Sequence, residues 1–132
     1  MMLDNESQLS LQEIYFLLKN SEKLVFLFLV KELYRFENNL FKRQRIMGDD
    51  AGCSRGTINK SIRILRELNL VVTHNIRGWY KSLNYFITDR GYEFYYMYKE
   101  ELEKEFCFYR FIIRFKEEKI MQEETASYLH DL

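Results

Sequence analysis

The side chains with the most chemical reach are concentrated in one stretch of this chain. Over residues 54–68, SRGTINKSIRILREL, Arg55, Asn59, Lys60, Arg63 and Arg66 stand largely off the stripe that Ile58, Ile62, Leu65 and Leu68 make at helical spacing. A guanidinium can pair bidentately with guanine and an asparagine amide with adenine, whereas Lys60 and Arg66 suit phosphates. Acid–base, nucleophilic and metal chemistry have much thinner support. His74 and His130 are the only histidines, and neither has a second Cys, His or carboxylate at metal-ligand spacing. There is no glycine-rich phosphate loop. No catalytic residue, metal or cofactor is expected, and the chain is not read as an enzyme. Cys53 precedes the basic helix, where a thiol is either a low-pKa redox sensor or an inert packing residue.

Charge is distributed to match. Lys and Arg equal Asp and Glu at 20 each, so the total says nothing about partners. Residues 42–81, however, hold nine basic and three acidic side chains, while residues 1–41 hold four and six and residues 89–132 hold seven and eleven. A basic block in an acidic frame is what a phosphate-binding surface requires, because each cation brought to the backbone releases condensed counterions. A solvated basic face would show the same excess. Cys53 and Cys107 make no disulfide framework, which fits a reduced, cytoplasmic protein. The most apolar run, LVFLFLV at 24–30, is bounded by Lys23 and Lys31 and is too short to span a bilayer, and no secretion leader is read at the start. No membrane association is expected.

These groups need elements to hold them. Ser10 followed by Glu13 has capping-box spacing, and Leu11, Ile14, Leu17 and Leu18 then recur at helical intervals. Asn20-Ser21 is expected to stop this first helix and cap a second over 22–36, apolar almost all round and therefore buried on most sides. Asn38-Asn39 breaks it. Residues 40–51 are expected to be a helix with Phe41, Ile46 and Met47 inward. Gly52-Cys53-Ser54 is a turn ending in an N-cap, and Asn69 suits the left-handed residue that closes a helix. Residues 70–73 and 83–88 are β-prone around a polar, glycine-containing tip, a hairpin pattern. Thr88-Asp89 is expected to open one long terminal helix, with Phe94, Met97, Tyr98, Leu102, Glu105 and Phe106 on its beat, Glu105 being the one charged interruption, and the last dozen residues frayed. No face can be assigned over 106–115.

A helix, a sharp turn, a capped basic helix and a strand pair with a polar tip follow one another here. In AGCSRGTINKSIRILRELNLVV at 51–72 and FITDRG at 86–91, the chain resembles the winged helix-turn-helix superfamily, and within it the MarR-type transcriptional regulators. The resemblance runs over residues 21–102. It departs from the MarR pattern in the wing, HNIRGWYKS, which lacks the usual acidic–basic arrangement. It implies a mostly α fold with a small β-hairpin wing, as a single domain over 1–132: a winged-helix core at 21–91, an N-terminal helix at 1–20 and a long aromatic C-terminal helix at 92–132.

The implied function is sequence-specific binding of double-stranded DNA by a transcriptional regulator, a homodimer through its terminal helices, with no effector ligand identified. The expected DNA-binding residues are Ser54, Arg55, Gly56, Thr57, Asn59, Lys60, Arg63 and Arg66, joined by Arg77 and Lys81 at the wing tip. Trp79 and Tyr80 either sit in that tip or pack back on the domain. Lys42, Arg43 and Arg45 either touch the DNA backbone or solvate a face. The Phe- and Tyr-rich stretch from Phe94 needs burial, either by a partner subunit or by the 22–36 helix of its own chain. Two other functions remain open: a plasmid or viral replication-initiation module, and a winged helix that binds only protein. An origin-restricted site marks the former, and absence of DNA affinity at low salt marks the latter.

Overall fold

The computed structural model describes residues 9–35, 40–42, 44–75 and 83–131. Helix α1 spans Leu11–Leu17 and starts as its sequence requires: Ser10 Oγ accepts from the Glu13 amide at 3.1 Å, while the Ser10 amide donates to Glu13 Oε1 at 3.2 Å. Ile14 and Leu18 are buried, but Leu17 is exposed. Helix α2 spans Asn20–Arg35. Asn20 and Ser21 do not cap it; they lie within its first turn. The cap is supplied from inside the helix, where Glu22 Oε1 accepts from the Lys19 amide at 2.9 Å. Every side chain from Leu24 to Val30 is buried, together with Leu33. The remaining elements gather round this helix, with α3, α4, α5, α6 and β3 all packed on it.

Residues 40–51 are not one helix. Strand β1 takes Leu40–Lys42 and helix α3 takes Gln44–Ala51. So short a strand has no readable period. What makes it a strand is pairing with β3, a segment distant in sequence. Phe41 and Lys42 therefore belong to a sheet edge rather than to a helix, while Met47 fills the core from α3 as expected.

Helix α4 spans Arg55–Glu67, followed by β2 (Val71–Asn75) and β3 (Leu83–Ile87). The sheet is antiparallel in the order β1-β3-β2, with Val71 opposite Ile87, Thr73 opposite Tyr85, and Leu40 on the other side of Tyr85. Val71, Tyr85 and Ile87 are buried, following the two-residue repeat of a strand with one covered face. The hairpin reading holds for these strands; its tip, with Arg77, Trp79, Tyr80 and Lys81, lies outside the described residues.

The terminal segment is two helices, α5 (Asp89–Glu105) and α6 (Arg110–Asp131), and not one. Thr88 caps α5 by accepting from the Gly91 amide at 2.9 Å, and the helix is kinked at Tyr98 (φ −116°, ψ 16°). The kink shifts the inner face. Gly91, Phe94, Tyr95 and Leu102 are buried, while Met97, expected on that face, is exposed. Helix α6 runs on to Asp131, into the stretch expected to fray.

Much of the aromatic demand is met within the chain. Phe94 meets Phe26 edge-on at 5.4 Å, Phe111 meets Phe28 at 5.3 Å, and Tyr98 stacks on Tyr15 of α1 at 4.1 Å. Phe106 is likewise buried. The molecule is thus mostly helical with a small antiparallel sheet, and no helix among the described residues is long and apolar enough to cross a membrane.

Among the described residues, two ion pairs join α2 to the terminal helices. Lys31 pairs with Glu103 of α5, and the adjacent Glu32 pairs with Arg114 of α6 at 3.3 Å. The Lys31 and Glu32 side chains are 7% and 2% exposed, so both charges need these partners.

Candidate nucleic-acid interface

Helix α4 separates its two kinds of residue cleanly. Ile58, Ser61, Ile62 and Leu65 are buried against α2 and α3, whereas Arg55, Gly56, Asn59, Lys60, Arg63 and Arg66 are exposed. The three- and four-residue spacing of the buried set turns the cationic and amide side chains outward together.

The ends of the helix are fixed by local chemistry. Ser54 is the N-cap, its Oγ accepting from the Thr57 amide at 3.1 Å and lying 2.9 Å from the Thr57 hydroxyl. Thr57 is half-buried, and both its hydroxyl and that of Ser54 are engaged in this cap, so these two expected site residues already use their side-chain polar groups. At the other end Asn69 takes φ 60°, the Leu70 amide donates to the Leu65 carbonyl at 2.9 Å, and the Asn69 amide donates to Arg66 at 3.0 Å. This is a Schellman closure with asparagine in the glycine place.

The turn before α4 is equally constrained. Gly52 has φ 81°, and the amides of Gly52 and Cys53 both donate to the Gly48 carbonyl, at 2.8 and 2.9 Å. Cys53 is half-buried against the core, and burial pushes its thiol pKa up. That is opposite to the depressed value a redox-sensing thiolate needs. The far side of the turn is covered by Tyr109, from the link between α5 and α6: a Cβ at Gly52 would lie 3.7 Å from its ring.

The FITDRG run has a structural explanation. The Thr88 hydroxyl caps α5 and donates to the Asn69 carbonyl at 2.7 Å, while its amide donates to the Leu70 carbonyl at 3.1 Å. A Cβ on Gly91 would come within 2.3 Å of that same Leu70 oxygen, so only glycine lets the first turn of α5 seat there. Threonine and glycine together clamp the start of α5 onto the end of α4.

Other expected contacts fall elsewhere. Lys42 is on β1 and Arg45 on α3; Arg43, Arg77 and Lys81 lie outside the described residues. A groove of 430 Å³ runs between the end of α4 and β2, with Arg63, Arg66, Asn69 and Thr73 on its walls. It continues the exposed cationic face toward the hairpin.

Sequence reasoning did not foresee the polar cluster on the outer side of α2. The Lys31 ammonium donates to Tyr95 Oη at 2.9 Å and ion-pairs with Glu103, and Tyr95 Oη lies 3.1 Å from the same carboxylate. Burial pulls the Lys31 pKa down and the Tyr95 hydroxyl well up. Burial also works to raise Glu103, but the Lys31 hydrogen bond and charge outweigh it and hold the carboxyl below its ordinary value. No local signal announces such a cluster, because its members are far apart in the chain.

Comparison with protein-family models, with curated proteins and with solved structures gives no match in any of the three.

Proposed function

We propose that this chain is a winged helix-turn-helix protein that binds double-stranded DNA sequence-specifically, with α4 presented to the major groove and the β2–β3 hairpin as the wing. The observation that carries the reading is the exposed face of α4. Arg55, Asn59, Lys60, Arg63 and Arg66 stand out together from a helix whose opposite side is wholly committed to the core. The order α2, β1, α3, turn, α4, β2, β3 supports it, as does the excess of cations over residues 42–81. On this reading Arg55 and Asn59, on the first turns of the helix, contact base edges, and Lys60 and Arg66 contact phosphates. The protein then acts as a transcriptional regulator.

Homodimerisation through the terminal helices is part of the proposal. Phe108 is 90% exposed, and Ile113, Ile120 and Met121 are exposed along α6, so own-chain packing leaves an apolar stripe uncovered. A two-fold dimer would read two half-sites about one helical turn apart.

The test is selection of bound sequences from random duplexes, followed by affinity measurements on the selected and scrambled duplexes over a salt series. The expected result is an inverted repeat bound about 10³-fold or more tightly than scrambled DNA. Recovery of no enriched sequence, with no duplex retained at low salt, would refute the reading and leave the exposed α6 stripe as the functional surface.

A further inference from the structure

A cavity of 630 Å³ opens between α2, α5 and α6, and no residue of α4 or β2 lines it. It is therefore separate from the proposed DNA face and can be judged without it. Its floor is the buried Lys31, held by Tyr95 Oη and Glu103. Lys99 of α5 and Lys119 of α6 stand on its rim, and the rings of Tyr34 and Tyr96, both exposed, form its walls.

Among the described lining residues the charges do not cancel. Glu103 ion-pairs with Lys31 and also feels the charge of Lys99, but one carboxylate cannot balance three ammonium groups, and Lys99 and Lys119 make no ion pair with a described residue. The described lining thus carries two ammonium groups beyond the one that Glu103 balances. Both also bear electrostatically on Lys31 itself, which places all three in one field. Such a field favours a dianion over a monoanion, and a phosphate monoester carries a charge of about −1.5 to −2 at neutral pH. Tyrosine faces beside a cationic rim suit a planar ring attached to that group, since every base offers a π-face for stacking. The volume lies within the roughly 300–1,000 Å³ of small-molecule sites. The floor is set before any ligand arrives, because Lys31 already has its partners.

We infer that this cavity binds a nucleoside monophosphate, the phosphate between Lys99 and Lys119 and the base against Tyr34 and Tyr96. The test is calorimetric titration of the full chain with adenosine and uridine monophosphates, with the corresponding nucleosides, and with inorganic phosphate. At least one monophosphate is expected to bind about tenfold or more tightly than its nucleoside or phosphate alone. The double variant Lys99→Gln/Lys119→Gln should weaken that binding by about tenfold or more, leave the nucleoside affinity unchanged, and melt like wild type, since both side chains are exposed. Tyr96→Ala should weaken nucleotide and nucleoside alike. Absence of heat with both monophosphates, equal affinity for nucleotide and nucleoside, or undiminished binding in the lysine variant would each overturn the inference. If phosphate alone binds as well as the nucleotides, the site is an anion site and the nucleoside assignment falls.

Discussion

The two faces of α4 can be perturbed independently, and the sizes of the two effects differ enough to separate fold from function. Ile58 has no exposed surface, and Ile58→Ala removes three side-chain carbons from the packed contact with α2 and α3. At about 0.8 kcal/mol per buried carbon the transfer loss is roughly 2.4 kcal/mol. Incomplete collapse of the void adds about 24 cal/mol per Å³, for a total of roughly 2.5 to 4 kcal/mol. For a chain of this length each kcal/mol moves the melting temperature by roughly 3 to 5 °C, so a fall of about 10 °C is expected by calorimetry. Arg55→Ala and Asn59→Ala touch only exposed side chains and should shift stability by about 0.5 kcal/mol or less. Each should nevertheless cost about 1 to 3 kcal/mol on a selected duplex and little on a scrambled one. Lys60→Ala should weaken both duplexes alike. The reasoning fails if the Arg55 and Asn59 variants bind the selected site like wild type, for then α4 is not the reader however well it is folded.

Three further outcomes follow from particular contacts. Gly91→Ala should lower the melting temperature although alanine is the better helix former by about 1 kcal/mol, because the added Cβ would lie 2.3 Å from a backbone oxygen; a rise would mean that α5 does not seat on Leu70. Glu103 has a lowered folded-state pKa, so its contribution to stability is present above its ordinary value of 4.5 and is lost as pH falls through the folded value. The melting-temperature gap between wild type and Glu103→Gln should therefore be widest near neutrality and narrow below pH 4.5, and a gap constant from neutrality to strong acid would count against the Lys31 pairing. Phe108→Asp combined with Ile113→Asp should convert a micromolar dimer into a folded monomer by sedimentation, since both sites are exposed within the chain; a wild-type protein that is already monomeric would remove the dimer from the proposal.

What was legible in the sequence was local. The Ser10–Glu13 box, the Ser54 cap, the Thr88 start and the left-handed Asn69 each depend on atoms within a few residues, and the structure has all of them. The inward stripe of α4 was readable for the same reason: its period is a property of the segment alone. Strand β1 was not readable, because its conformation is set by partners on β3, more than one element away. The break between α5 and α6 was hidden by uniform apolarity: Phe106 and Phe111 are both core residues, and nothing in FCFYRF marks where the backbone turns between them. The Asn20-Ser21 pair misled because it is good capping chemistry, yet Glu22 closes the helix from within by bonding the Lys19 amide. The cavity and its lysines were invisible for want of any local pattern. Lys31 reads as the edge of an apolar run until α5 and α6 fold over it.

Lys31 and Glu32 are consecutive, so the helix directs them about 100° apart, the angle between successive residues at 3.6 per turn. Each meets a different terminal helix, Lys31 reaching Glu103 and Glu32 reaching Arg114. Exchange of α5 and α6 would set ammonium against guanidinium and carboxylate against carboxylate, at Lys31 and Glu32 side chains that are themselves shielded from water. The neighbouring opposite charges therefore add a penalty against interchanging the two helices, on top of the difference in their apolar faces. A helix α6 donated by a second copy would carry the same Arg114 and satisfy the same pairing. Charge thus favours the native arrangement over the interchanged one, whether α6 comes from the same chain or from a second copy.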